Sequence, residues 1–259
     1  MSHLDHHGNY ADSAGTPWAG RSFGANEHVA DDGSAPPELA AALARWSDDP
    51  GLASEVVAEI SRSRLLIPLL AELGGDLEIG PNGVPIDKKQ ELSIVAVAGR
   101  DGRRTLPVFT SVDAMRTWNP IARPVPVDGV RVALAAVDDG CELVVVDPAS
   151  PTEFLIRRPA VWAIAQGKEW RSPVESHGVD VAFKRSIGGE PAVRGVTLIS
   201  GDSEARGAGP ELIVRLELAA GLSRDELDAT IARLSARWAA DDVIATEVDS
   251  LAVRLVAAS

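Results

Sequence analysis

Two groups of basic residues have the types and the spacing to recognise carboxylates. The first lies at the tip of a predicted hairpin and the second surrounds a predicted helix; their members are Arg100, Arg103 and Arg104, and Arg157, Arg158, Lys168 and Arg171. Guanidinium groups bind carboxylates through paired hydrogen bonds and keep their charge at physiological pH. The functional hypothesis for both groups is a docking site for an acidic segment of a partner protein. The alternative interpretation is ordinary solvated surface charge.

Residues that carry out acid–base or nucleophilic catalysis are scarce or poorly placed in this sequence. A serine or cysteine nucleophile needs a histidine base nearby, and His177 is the only histidine in the predicted folded region. The pairs Asp138-Asp139 and Asp241-Asp242 lie at predicted helix ends or turns, where solvated carboxylates are expected. The sequence therefore indicates no catalytic residue, and we expect a protein that is not an enzyme.

Cofactor and metal sites are not indicated either. The glycine-rich residues 201–210 join two predicted strands, lack the G-x-G-x-x-G spacing and are not followed by a helix, so they do not predict a phosphate site. Cys141 is the single cysteine and is expected to be a buried apolar residue. His3, His6 and His7 could chelate a metal, but nothing in the segment around them would hold them in place. We expect no cofactor.

Composition and charge exclude some classes of partner. The formal net charge of −13 is spread along all 259 residues, which disfavours sequence-independent binding to nucleic acid. Apolar runs such as residues 92–99 are far shorter than the roughly 20 residues that a membrane-spanning helix needs. We therefore expect a soluble cytoplasmic protein that binds neither nucleic acid nor membranes.

Hydrophobic periodicity predicts how the first half of the chain folds. Residues 38–46 and 48–63 carry one apolar stripe each and predict two helices. The apolar run from Arg64 predicts a strand, which Pro68 should confine to a sheet edge because proline lacks a backbone donor. Residues 74–89 are expected to form a loop or short hairpin.

A hairpin and a capped helix are predicted next. Residues 92–99 and 103–110 flank Asp101-Gly102, a pair typical of a tight type I′ turn. Thr110 and Asp113 match the pattern of a capping box. Pro107 should prevent its strand from pairing fully on both sides, which leaves an edge that a partner could use.

The elements after this helix predict a second sheet region and a boundary. Val130, Leu134 and Val137 should form the buried face of a helix. Two strands then form a hairpin, and a helix begins at Pro159 and ends at Gly167. Residues 167–178 are expected to be a linker.

Residues 193–258 predict a β-β-α-β unit. Ser223 and Glu226 form a capping box for its helix, whose apolar stripe contains Leu227, Ile231, Leu234 and Trp238. We therefore predict an α+β protein with a disordered tail at 1–34, an N-terminal domain at 35–172 with a mixed sheet and flanking helices, and a smaller C-terminal domain at 173–259.

The motifs from residue 92 to residue 158 resemble a known family. LSIVAVAGRDGRRTLPVFTSVDAMRTWNP, then ARPVPVDG and ELVVVDP, are similar to the SseB family, the enhanced serine sensitivity proteins, in its actinobacterial form. TPWAGRSF near the start and DSLAVRLV near the end also fit. The resemblance implies an N-terminal α+β SseB domain and a smaller C-terminal domain, and it offers no catalytic residue to carry over.

Two functions remain open at this point. The leading hypothesis is a non-enzymatic cytoplasmic interaction or regulatory protein of this family, with an unidentified protein partner. The alternative is a protein that binds a small, amino-acid-related molecule, or a weak enzyme linked to serine metabolism, which only the family's name suggests. A concave apolar pocket with converging polar groups would favour the ligand, and an open groove would favour the partner. Trp18 and Phe23 could dock on the domain or on a partner, and the oligomeric state stays open.

Overall fold

The computed structural model describes residues 31–71, 78–79, 85–86 and 92–258. The predicted disordered tail up to residue 30, with Trp18, Phe23 and the early histidines, lies outside the described residues. In the region predicted as a loop or short hairpin, the backbone forms two short antiparallel strands, Glu78–Ile79 and Pro85–Ile86, and the rest of that prediction lies outside the described residues.

Helices and strands alternate through the first half of the chain. They are α1 (Pro37–Asp48), a 3-10 turn (Pro50–Leu52), α2 (Ala53–Arg62), β1 (Arg64–Ala71), β2 (Glu78–Ile79), β3 (Pro85–Ile86), β4 (Leu92–Ile94), β5 (Val97–Ala98), β6 (Arg104–Val108), α3 (Val112–Trp118), β7 (Arg123–Asp128), α4 (Gly129–Asp138), β8 (Leu143–Val146), β9 (Phe154–Ile156) and α5 (Arg158–Ala165). Both predicted N-terminal helices are present. Gly167, with a φ of 63°, follows the end of α5 as predicted.

The second half contains one further sheet and its helices. Its elements are α6 (His177–Ser186), β10 (Val193–Ser200), β11 (Leu212–Leu218), α7 (Arg224–Ala239), α8 (Asp242–Glu247) and β12 (Leu251–Ala257). The β-β-α-β order is confirmed, and the capping box of Ser223 and Glu226 is formed. Helix α6 was not predicted, because its first turn lies in the segment interpreted as a linker.

Sheet topology confirms the α+β class. One sheet has the order β4-β1-β7 and a second has the order β5-β6-β8-β9, in which β6 and β8 run parallel. The two meet where Leu66 and Phe109 exchange backbone hydrogen bonds of 2.8 and 2.9 Å. The third has the order β10-β11-β12, with β11 and β12 parallel. Helices cover these sheets on their apolar faces.

The apolar core is divided into two main clusters. One joins α1, α2, α4 and α5 to the first two sheets, and the other joins α6, α7 and α8 to β10, β11 and β12. Residues Gly33–Ser259 nevertheless form one compact unit. The domain boundary near residue 172 therefore stays a prediction.

Strand β1 is not an edge strand, contrary to the expectation from Pro68. It lies between β4 and β7 and pairs with both. Leu66 exchanges hydrogen bonds with Phe109. In an antiparallel ladder the next hydrogen-bonded pair lies two residues further along each strand, which here would be Pro68 opposite Pro107. Neither proline has an N–H group, so this ladder stops there and β1 continues against β4 instead.

The strand edge at Pro107 is covered by this chain. Pro107 is buried, and it lies opposite Val145 in the parallel pair of β6 and β8. On its other side β6 pairs with β5 at Arg104 and Thr105, and the strand then approaches β1 near Phe109. Pro107 therefore offers no open edge to a partner.

The hairpin and the helix start differ in detail from their predictions. Gly102 has a φ of 83° and Asp101 has no positive φ, so the turn is not type I′. Ser111 caps α3 by accepting from the N–H of Ala114, at 3.1 Å. Thr110 instead donates its N–H and its hydroxyl to the carboxylate of buried Asp147, both at 2.8 Å.

Helix α4 presents only part of the predicted face to the core: Val130 and Val137 pack against it as expected, but Leu134 does not. Leu134 is 46% exposed, whereas Val132 and Ala133 are buried. The reason is at the helix start: a Cβ built on Gly129 would lie 1.9 Å from the carbonyl oxygen of Ile60. Because the helix begins in contact with the α2 backbone, small residues turn inward and the larger Leu134 turns outward.

Candidate functional site

The predicted docking arginines do not form one surface. Arg103, from the hairpin, and Arg157, from the start of α5, both reach into the C-terminal half and bind the same carboxylate, Asp249. Arg103 binds it through two hydrogen bonds of 2.8 Å, and Arg157 through one of 3.2 Å. The Asp249 side chain is 0% exposed and the Arg157 side chain is 8% exposed. These two arginines are therefore accounted for by contacts inside the chain.

A second aspartate completes this buried ionic cluster. Arg157 donates to Asp202 at 2.6 Å and to the carbonyl oxygen of Gly209 at 2.9 Å. Asp202 also accepts the backbone N–H of Gly207 at 2.8 Å. The cluster thus holds the glycine-rich loop between β10 and β11 against the start of α5, which gives that loop a structural role.

Glu211 is the member of the cluster that lacks a cation of its own. Its carboxylate accepts the backbone N–H of Asp249 at 2.6 Å. Burial raises the pKa of Glu211 to about 7, even though Arg157 lies near enough to oppose the shift. Burial also opposes ionisation of Asp249, but hydrogen bonds and charge from Arg103 and Arg157 outweigh it and hold the pKa of Asp249 below its usual value. The cluster therefore contains one carboxyl that is readily protonated near neutral pH.

The other members of the first basic group lie at the surface. Arg104 donates to Asp139 at 2.7 Å, and 54% of its side chain is exposed. Arg100 is exposed at the hairpin tip and has no hydrogen-bond or ion-pair partner in the described parts of the chain. Cys141, near Arg104 and Asp139, is buried, and burial raises the pKa of its thiol, which makes it a poor nucleophile.

The second basic group, apart from Arg157, lines an open groove. One wall is α5, the other is α8, and residues 168–171 close one end. The groove has a volume of about 550 Å³. Its basic side chains are Arg158, Lys168 and Arg171, and the exposed aromatic side chain among them is Trp162, which is 46% exposed.

Two of these cations are available to a ligand. Arg158 and Lys168 have no ion-pair partner among the residues that the structure describes. Arg171 pairs with Glu169 at 3.3 Å, with side chains 65% and 76% exposed, and so exposed a pair contributes little. On the α8 side, Glu247 accepts a hydrogen bond from the hydroxyl of Ser176 at 2.7 Å, which orients its carboxylate but supplies no opposite charge. The groove thus offers free positive charge beside an exposed indole.

Comparison with known proteins gives one match. The family model for the SseB protein N-terminal domain matches residues 39–163. The match identifies these residues as an SseB N-terminal domain. No curated protein and no solved structure matches the chain.

The SseB domain supplies only part of the groove. Its matched residues include Arg158 and Trp162 on α5, whereas Lys168, Arg171 and the α8 wall follow the match. The buried ionic cluster is divided in the same way: Arg103 and Arg157 lie inside the SseB match, and the two buried aspartates that they bind, Asp202 and Asp249, lie beyond it.

Sequence reasoning missed several residues of both sites. A signal for Trp162 was available, because it lies off the buried stripe of α5 that contains Ala160, Val161 and Ile164. No local signal marked Asp249 or Asp202 as partners of the arginines, since nothing in the sequence around them indicates a contact so distant along the chain.

The described residues hold neither a metal-binding cluster nor a helix that could span a membrane. They contain no group of three or more His, Cys, Asp or Glu side chains placed to hold a metal ion. In the same residues no helix combines the length and the apolar character that a membrane span requires.

Proposed function

We propose that this SseB-family protein is a non-enzymatic cytoplasmic interaction protein that docks an acidic segment of a partner in the groove between α5 and α8. The observation that carries the proposal is the pair of free cations, Arg158 and Lys168, beside half-exposed Trp162 in one groove of about 550 Å³. The unpaired positive charge in this groove contrasts with the negative net charge of the whole protein, which is −13.

Charge complementarity identifies the occupant. Carboxylates of a partner segment would pair with Arg158 and Lys168, and these contacts would speed association and select against basic partners. Trp162 supplies the apolar contact, because tryptophan and arginine dominate the binding energy at protein interfaces. The segment that fits best is therefore acidic and contains at least one large apolar residue.

Site-specific crosslinking tests this proposal while the identity of the partner is still open. We would place a photoreactive benzoyl-phenylalanine at Gln166, an exposed position on the groove, and irradiate native cells. The same photoreactive group at Lys184, exposed on α6, is the control. We expect a discrete adduct from position 166 alone, whose crosslinked peptide is acidic. Adducts that are equal at both positions, or a crosslinked segment that is neutral or basic, would contradict the proposal.

Charge reversal measures the contribution of the groove. A synthetic peptide of the crosslinked segment is titrated against Arg158→Glu/Lys168→Glu, and the dissociation constant should rise by more than about tenfold. Lys184→Glu/Arg224→Glu removes the same charge at exposed positions outside the groove and should bind like the unsubstituted protein. Affinity of the unsubstituted protein should fall with added salt, since exposed charges are screened. Equal loss in both double variants would show a net-charge effect instead.

A further inference from the structure

A second, smaller cavity lies beside the groove and is lined mainly by apolar side chains. Its volume is about 170 Å³, and its aromatic walls are Trp46, Phe154 and Trp170. Trp46 and Phe154 contact each other edge to face, with ring centroids 4.9 Å apart. Aliphatic side chains, including Val57 and Ile156, complete the walls. A cavity of this size holds a molecule of about one aromatic ring.

Two buried donors at this cavity lack acceptors. The indole Nε1 atoms of Trp46 and Trp170 are buried, and neither has a hydrogen-bond partner among the described residues. Trp46 is 5% exposed. A buried N–H group without an acceptor costs about 1–3 kcal/mol, so two at one cavity call for an explanation. Both rings line the cavity, so a small rotation of each indole would bring its N–H to an acceptor on a molecule bound there.

The charged groups at the cavity select against an anion. Arg157 is the only basic side chain among the described residues that line it, and its guanidinium is already bound to Asp202 and Asp249. Glu211 also lines the cavity, and burial raises its pKa to about 7, so near neutral pH the protonated carboxyl, which can donate, is well populated. The carboxylates of Asp202 and Glu175 line the cavity too, and they already accept hydrogen bonds from Arg157 and from the hydroxyl of Ser54. The buried groups that lack a partner at the cavity are therefore the two indole donors.

We propose that the cavity bordered by Trp46, Phe154 and Trp170 binds a small uncharged molecule, about one ring in size, that carries a hydrogen-bond acceptor such as an amide or ketone oxygen. The acceptor receives the indole N–H groups, and the apolar body fills the space against Phe154, Val57 and Ile156. This site does not depend on what the neighbouring groove docks, although Trp170 lines both.

Four probes that share a single benzene ring and differ in their substituent distinguish the possible ligand classes: benzamide, toluene, benzylammonium and benzoate. They are titrated against the ¹⁵N-labelled full chain while the indole N–H resonances are followed. We expect benzamide to shift the resonances of Trp46 and Trp170 saturably at roughly millimolar concentration, as suits so small a ligand. Toluene should bind more weakly because it offers no acceptor, and benzoate should not bind. Tighter binding of benzylammonium than of benzamide, or no saturable shift with any probe, would overturn the proposal.

A matched pair of variants tests the contact itself. Trp170→Phe keeps an aromatic ring and removes one donor, so benzamide affinity should fall about fivefold, the size expected for one hydrogen bond, while toluene affinity stays unchanged. Trp162→Phe, whose ring lines the groove and not the cavity, should leave both affinities unchanged. An equal loss for benzamide and toluene in Trp170→Phe would show that the ring supplies packing only, which would overturn the assignment of the acceptor.

Discussion

Arg157 and Arg158 are adjacent in the sequence and belong to two regions with opposite properties. The Arg157 side chain is 8% exposed and binds two buried aspartates, whereas Arg158 lines an open groove without an ion-pair partner among the described residues. Burial leaves Arg157 no role in docking, because removing its charge would leave Asp202 and Asp249 uncompensated. Arg158 is only partly buried, and its charge compensates no buried carboxylate, so we expect it to contribute little to folding. Identical residue types thus stabilise the fold in one region and line a groove without an ion-pair partner among the described residues in the other.

The largest expected effect tests this contrast directly. Arg157→Ala should lower the free energy of unfolding by about 3–5 kcal/mol, since it leaves buried carboxylates unpaired. Arg158→Ala should change it by less than about 0.5 kcal/mol. Urea unfolding followed by circular dichroism measures both. If the Arg157→Ala variant does not fold at all, the result agrees with the expected large loss of stability. Small and equal losses in Arg157→Ala and Arg158→Ala would contradict the contrast between the two arginines.

A pH effect of intermediate size should come from Glu211. Its pKa is about 7 in the folded protein, against 4.5 as the ordinary value. Between these values the unfolded chain loses the proton first, so stability present below pH 4.5 is lost as the pH rises through 7. The loss is on the order of 3 kcal/mol. Glu211→Gln cannot ionise and should lack this component.

Urea titrations at intervals from pH 4.5 to pH 8 measure the Glu211 contribution as a difference between the two proteins. The unsubstituted protein should lose stability relative to Glu211→Gln over this range. A difference that stays constant with pH would show that Glu211 is ionised and compensated throughout, and the cluster would then not contain a readily protonated carboxyl.

The smallest effect distinguishes geometry from charge in the first basic group. Arg103→Lys keeps the charge but cannot form both bonds to Asp249, so we expect a loss of about 1–2 kcal/mol in the free energy of unfolding. Arg104→Lys, at the exposed pair with Asp139, should cost less than about 0.5 kcal/mol. The same urea titrations compare the two. A larger loss from Arg104→Lys would place the structural contact at the surface and not in the buried cluster.

Much of the fold was predictable from local patterns. The stripe in α7 is confirmed, with Leu234 and Trp238 buried and Leu227 and Ile231 packed against the same core. The capping box at Ser223 is also confirmed, and both of its hydrogen bonds join residues within one turn of helix. Signals of this kind are complete within a few residues, and they do not depend on the rest of the chain.

Predictions failed where a contact with a residue distant in the sequence determined the local structure. Thr110 was predicted to cap α3, but it binds Asp147, which is distant in sequence, and Ser111 caps the helix instead. The inward face of α4 depends on its contact with Ile60 at Gly129. Pro68 indicated an edge, but a strand with one missing donor can continue by changing partner.

By itself the sequence determined the α+β class, the order of most elements, the likeness to the SseB family and the concentration of arginine in two places. Only the tertiary structure decided which arginines are buried against Asp202 and Asp249 and which line a groove with Trp162. The physical reason is that helix and strand formation depends on neighbours a few residues away. The energy of a charge depends instead on what surrounds it in space, and contacts distant in sequence set that environment.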